Sequence, residues 1–202
     1  MAKAWFKDRL NDHYLQKSRL DDYRSRAAYK LEEIDQKYKL IKPGQKILDL
    51  GAAPGSWTQY ALRKVNGKAK IIAIDLLEIA PVEGAIIIKG DIRDAANQAR
   101  ITELAPHGLD LILSDMAPDT TGVHFADTEN SALLVHLALD IVEKLLKPGG
   151  CFVAKVFEGA EYQQLLQRAR KMFDFAKSFN PKASLTRSRE IFLVAQNYQP
   201  KK

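Results

Sequence analysis

Apolar and polar residues change period several times along this chain, and each change marks an element. From Ser25 to Tyr38 the apolar positions Ala28, Leu31, Ile34 and Tyr38 fall three and four apart, the spacing of one helix face, and Pro43-Gly44 closes the segment. Apolar runs predict strands at Lys46–Leu50, Lys70–Asp75, Ala85–Lys89 and Leu109–Ser114, with amphipathic helices at Trp57–Val65 and Ala95–Leu104 between them. A long helix is expected from about Thr128 to Leu146, ended by Pro148-Gly149-Gly150. Strand Cys151–Phe157, helix Ala160–Met172 and two strand-like runs, Phe173–Phe179 and Ile191–Ala195, complete the series.

Strands that alternate with helices imply right-handed crossovers and a parallel sheet covered on both faces. The last two strands differ, because the connection from Asn180 to Glu190 is polar and carries no helical period. An antiparallel hairpin at one side of the sheet is the simplest solution. The expected class is therefore α/β, with the Rossmann-like arrangement of S-adenosylmethionine-dependent methyltransferases: a mostly parallel seven-stranded sheet with a C-terminal antiparallel hairpin. There are no repeats, low-complexity tracts or long linkers, so residues 1–202 read as one domain, with 1–43 a basic helical extension packed on it.

Composition narrows the picture. A hydrophobic content of 46% and a charged content of 28% over 202 residues suit one globular α/β core. The single cysteine, Cys151, excludes a disulfide framework and a Cys-rich zinc site, and its apolar neighbours mark it as a core thiol. The four histidines are scattered without ligand spacing, so no metal is expected. No apolar leader or membrane-length segment is visible, and a cytoplasmic monomer without membrane contact is expected. The net charge of +6 is uneven: +4 over residues 1–43, −5 over 44–167 and +7 over 168–202. Two basic ends that converge on one cleft would bind a polyanion, most simply nucleic acid.

The candidate chemistry starts at Asp49-Leu50-Gly51-Ala52-Ala53-Pro54-Gly55-Ser56-Trp57, a glycine turn between a strand and a helix. Such turns hold nucleotide-type cofactors because the backbone can approach the ligand without a Cβ in the way. Gly51 and Gly55 bracket Pro54, which is not the G-x-G-x-x-G spacing of dinucleotide sites, so a cofactor without a pyrophosphate fits better. S-adenosyl-L-methionine leads, and an NAD-dependent oxidoreductase is disfavoured. Ligands bind at the carboxyl ends of such strands, and four acids stand there: Asp49, Asp75, Asp91 and Asp115. Asp75 lies where an acid accepts from ribose hydroxyls, and Asp91 is placed to accept from an adenine amino group. Trp57 packs either beside the ligand or against the sheet. The run Ser114-Asp115-Met116-Ala117-Pro118-Asp119 lacks the aromatic that follows in base amino-methyltransferases, which lowers the case for base methylation. The loop Thr120–Thr128, with Gly122, reads as a surface loop or a mobile flap.

Lys155 is anomalous, a lysine within an apolar strand, where an unpaired ammonium is costly and the neutral amine would be a competent base. Lys30 alone reads as an ordinary surface lysine. The combination Lys30, Asp115, Lys155 and Glu190, with Ser25–Leu31, Asp49–Trp57, Ser114–Pro118 and Ser188–Glu190 around it, resembles the FtsJ/RrmJ (RlmE) family of ribosomal RNA ribose 2′-O-methyltransferases. The resemblance runs from about Trp5 to Val194. It implies a Lys-Asp-Lys-Glu catalytic tetrad in which Lys155 accepts the proton. It also implies cofactor binding by Gly55, Trp57, Asp75, Asp91 and Asp115, to which the glycine turn adds Gly51, and methylation of a uridine ribose in large-subunit (23S) ribosomal RNA, with that RNA or the large ribosomal subunit as partner. Arg24, Arg26, Arg187 and Arg189 have phosphate-binding character, and Tyr29 is a candidate to stack on a base. A transfer RNA or mRNA-cap enzyme, or an RNA-binding ribosome assembly factor in which methylation is secondary, are the competing readings.

Overall fold

The computed structural model of the chain describes residues 13–184 and 189–200. Its elements are α1 (His13–Leu20), α2 (Ala27–Tyr38), β1 (Lys46–Leu50), α3 (Ser56–Lys64), β2 (Lys70–Asp75), β3 (Ala85–Lys89), α4 (Ala95–Leu104), β4 (Leu109–Ser114), α5 (His124–Leu145), β5 (Leu146–Phe157), α6 (Tyr162–Met172), β6 (Phe173–Phe179) and β7 (Glu190–Tyr198). Seven strands form one sheet in the order β3-β2-β1-β4-β5-β7-β6. The first five are parallel, while β7 pairs antiparallel with both β5 and β6, so the last strand is inserted between the two before it.

Strands buried on both faces need apolar residues at nearly every position, and β1, β2 and β4 supply them apart from Asp49 and the polar residues near their ends. Leu48, Leu50, Ile72, Ile112, Phe152 and Ala154 face one cluster, completed by α5, α6 and Ile101 of α4. Ile47, Ile71, Leu111, Leu113, Val153 and Phe192 face the other, covered by α2 and α3. Asp35 ties those two helices together beneath the surface. Its carboxylate accepts from the Ile41 amide at 2.9 Å and the Tyr60 hydroxyl at 3.1 Å, and Lys64 pairs with it at 3.3 Å.

Helix α2 ends at Tyr38, where its apolar period ends, because Lys39 turns left-handed and its N–H closes on the Asp35 carbonyl. Both ends of the long helix differ from the sequence reading. Helix α5 begins at His124, so half of the expected Thr120–Thr128 loop is helix; Asp127 folds back to accept from the Thr121 and Gly122 amides and fixes the entry. At its other end α5 runs straight into β5, and Pro148-Gly149-Gly150 lies within the strand, where the pairing with β4 is irregular. Helix α1, with one buried residue and no clear apolar stripe, had no legible signal.

Candidate active site

Glycine turn and strand ends build a cleft of about 620 Å³ along the carboxyl edge of the sheet, within the range of small-molecule sites. Gly51 (φ +67°) and Gly55 (φ +108°) occupy left-handed backbone that disfavours any side chain. A Cβ on Gly51 would come within 2.7 Å of the Met116 backbone, and one on Gly55 within 2.7 Å of the Arg24 guanidinium. The Ala53–Pro54 peptide between them is cis. The cleft has an apolar wall of Leu76, Leu77, Ile92, Leu133, Leu134 and Leu137 and carries Asp75, Asp91, Asp115 and Asp119 at its polar points. The leucine wall was missed in the sequence; Leu76 and Leu77, apolar residues just past a strand end and left exposed, were the available signal.

The four strand-end acids separate by environment. Asp75 uses its carboxylate to hold the turn, accepting from the Ala53 amide at 2.9 Å and the Leu77 amide at 2.8 Å. Asp91 is bonded by the Arg93 guanidinium and amide, which hold its carboxyl below the usual range. Asp49 is fully buried under the turn. Its Oδ2 accepts from the Thr58 hydroxyl at 2.6 Å, while Oδ1 has no hydrogen-bond partner among the described residues. Burial, reinforced by the nearby negative charge of Asp115 and Asp75, pushes its carboxyl up to about 7. Trp57 lies against the sheet: it is buried, its Nε1 donates to the Ala27 carbonyl at 2.9 Å, and its ring meets Phe192. One edge of it lines a narrow crevice shared with Asp49, Gly51 and Asp115.

Beyond the end of β4, on the face covered by α2, two lysine–carboxylate pairs stand together. Lys155 of β5 is only 7% exposed. Its Nζ donates to the main-chain carbonyl of Asp115 at 2.8 Å and faces the Asp115 carboxylate as an ion pair at 2.8 Å. Lys30 of α2, also buried, pairs with Glu190 at the start of β7. Strand register joins the pairs. Lys155 opposes Phe192 and Phe157 opposes Glu190, so Lys155 and Glu190 are diagonal neighbours on one face, on the order of 7 Å apart at the backbone. Lys30 is therefore not the surface lysine its local sequence suggests, because Glu190, far away in the chain, draws it inward.

A family model described as FtsJ-like methyltransferase matches residues 23–198. The chain belongs to the FtsJ-like methyltransferase family. It is 43% identical to the ribosomal RNA large subunit methyltransferase E of Legionella pneumophila (strain Corby) over 198 residues, 98% of this chain and 96% of that one. Against the enzyme of the same name from Chromobacterium violaceum the identity is 45% over 196 residues, 96% of each chain. A solved structure described as a ribosomal RNA methyltransferase from Plasmodium falciparum superposes with a TM-score of 0.81 at 33% identity, covering 89% of this chain and all of that one. As a methyltransferase the chain requires a methyl donor.

The residues expected to meet RNA in this methyltransferase fall into distinct settings. Arg24 spends its guanidinium on three main-chain carbonyls, those of Pro54, Ala80 and Pro81, at 2.7–2.8 Å, and so staples the glycine turn to the loop after β2. Arg26 donates to the Ala183 carbonyl. Glu33 accepts from the Lys182 and Ala183 amides at 2.7 and 2.8 Å, so the N-terminal helix and the loop between β6 and β7 meet on one face. Arg189 is exposed there. Arg187 lies outside the described residues. Tyr29 is corrected: it is 2% exposed, its hydroxyl donates to Asp21 at 2.6 Å, and Tyr14 and Tyr23 pack on its ring, so it has no free face for a base.

Proposed function

We propose that the protein transfers a methyl group from S-adenosyl-L-methionine to the 2′-hydroxyl of a uridine ribose in large-subunit ribosomal RNA. The observation that carries this reading is the buried Lys155–Asp115 pair set diagonally against Lys30–Glu190 at the end of the cofactor cleft. The names of the relatives support the substrate class.

The cleft fits the cofactor. Its apolar wall suits adenine, Asp91 and Asp75 offer acceptors to adenine and ribose, and Gly51, where a Cβ would collide with Met116, lets the turn and the Met116 loop close together at the cleft. Carboxylates around the glycine turn suit a ligand with an ammonium and a sulfonium. When bound, that group supplies an electrophilic methyl. The chain supplies the rest. A ribose hydroxyl is a poor acid and must lose its proton as its oxygen attacks, and Lys155 accepts that proton at Nζ. Asp115 orients the Lys155 amine through both its carbonyl and its carboxylate. Lys30, held by Glu190, places positive charge where oxygen becomes negative. General-base help of this kind is worth about 10²–10⁴ in rate; positioning of the hydroxyl provides the remainder.

The test uses labelled S-adenosylmethionine and large-subunit RNA from a strain that lacks the modification. A 2′-O-methyl group blocks alkaline cleavage at its own phosphodiester, so label is expected in an alkali-resistant dinucleotide. Label on a base, or transfer only to transfer RNA or to a cap, would overturn the proposal.

A further inference from the structure

The amino ends of the strands carry the opposite charge from the carboxyl ends. Six lysines gather there: Lys39 and Lys42 before β1, Lys46 at its start, Lys68 and Lys70 at the start of β2, and Lys147 at the start of β5. The backbone binds them into one surface. Gly44 N–H donates to the Lys68 carbonyl at 2.5 Å, Lys70 N–H to the Gln45 carbonyl at 2.9 Å, and Lys46 N–H to the Asp110 carboxylate at 2.8 Å. Lys39, Lys42 and Lys147 line a cleft of about 400 Å³ floored by Gly44, Gly149 and Gly150, whose lack of side chains keeps it open. Asp110, the one carboxylate in its lining, is taken by Lys147 at 2.5 Å. Among the described residues Lys39, Lys42 and Lys68 are exposed and have no carboxylate at ion-pair distance. A cleft with unneutralised lysines at its rim, and Lys68 beside it on the same edge, suits phosphate oxygens.

We propose that this edge is a second contact for the RNA phosphate backbone, so that the substrate is a folded RNA or particle engaged at both ends of the sheet. The inference rests on the ribosomal RNA reading above. The two ends are separated by the five residues of β1, about 16 Å at ~3.3 Å per residue, plus the loops beyond them. A short fragment around the target nucleotide reaches the catalytic end alone, whereas a large-subunit particle offers phosphates to both.

The experiment compares the wild type with a triple variant, Lys39→Gln, Lys42→Gln and Lys68→Gln, and with the matching triple arginine variant. Binding to the undermethylated large subunit and to a short RNA fragment around the target is measured across a salt series. The glutamine variant is expected to bind the particle at least ~10-fold more weakly at low salt, with the log–log salt slope shallower by about 2–3. Its turnover on the short fragment should stay at the wild-type value, and arginine should restore particle binding. If particle affinity and slope are unchanged, or if the fragment loses as much as the particle, the second contact is wrong. A wild type that transfers no methyl to ribosomal RNA would instead refute the substrate reading, so the two failures are distinguishable.

Discussion

At the scale of single residues, Lys155 and Asp49 are two of the side chains whose burial conflicts with their charge, alongside Lys30, Asp35 and Asp127. Lys155 answers the conflict with Asp115. Lys155→Arg keeps the charge and removes the basicity, since guanidinium stays protonated at any working pH. Turnover should fall at least ~10²-fold while cofactor affinity, followed by calorimetric titration, holds; near-normal turnover would mean that Lys155 acts by charge alone. Among the described residues Asp49 has only Thr58 as a hydrogen-bond partner. Its carboxyl, ordinarily near 3.8, stands near 7 in the folded chain. The native state therefore holds a proton that the unfolded chain releases, and this contribution to stability is full below about pH 4 and is lost as pH rises through 7, at roughly 1.4 kcal/mol per unit between those limits. Asp49→Asn carries no such proton. Urea unfolding at pH 5 and pH 8 should show the variant gaining on the wild type at the higher pH; a constant difference would place the Asp49 pKa elsewhere.

At the scale of elements, the glycine turn and its staples set the cofactor end. Gly51→Ala meets Met116 backbone in a left-handed conformation. It should lower stability by about 1–3 kcal/mol and weaken cofactor binding, as thermal unfolding with and without S-adenosylmethionine would show. Arg24→Ala removes donors from the Pro54, Ala80 and Pro81 carbonyls. If Arg24 acts through the turn and not on RNA, cofactor affinity falls with RNA affinity; loss of RNA binding alone would restore its phosphate-binding role. The same elements explain what was legible. Strands β1, β2 and β4 matched their apolar runs to the residue because a strand buried on both faces leaves little choice of composition, and β3, at the sheet edge and only partly buried, matched through its isoleucine run. Lys30 and Glu190 were opaque because nothing within ten residues of either signals a partner 160 positions away. Only the family resemblance joined them. Tyr29 misled for a related reason: a tyrosine beside arginines looks like an RNA contact until neighbouring tyrosines cover it.

At the scale of the whole molecule, the described parts of the two basic segments touch at one place. Arg26 and Glu33 of α2 bind the segment at Lys182–Ala183, which brings N-terminal and C-terminal positive charge to the rim of the lysine–carboxylate site. Replacing Arg26 and Arg189 together by alanine should lower RNA affinity and flatten its salt dependence while cofactor titration is unaltered; an unchanged salt slope would remove this face from the RNA contact.

The insertion of β7 between β5 and β6 also sets the order in which the enzyme can be built during synthesis. A ribosome delivers β6 before its strand partner β7 exists, and the edge of β5, with Lys155 on it, waits unpaired until residues 190–198 emerge. That exposed edge is an invitation to foreign strands. Glu190 arrives as the first residue of the strand that closes the gap, so the lysine pair is completed by the step that seals the sheet. A chain that stopped before Glu190 would lack β7 and leave the facing edges of β5 and β6 unpaired.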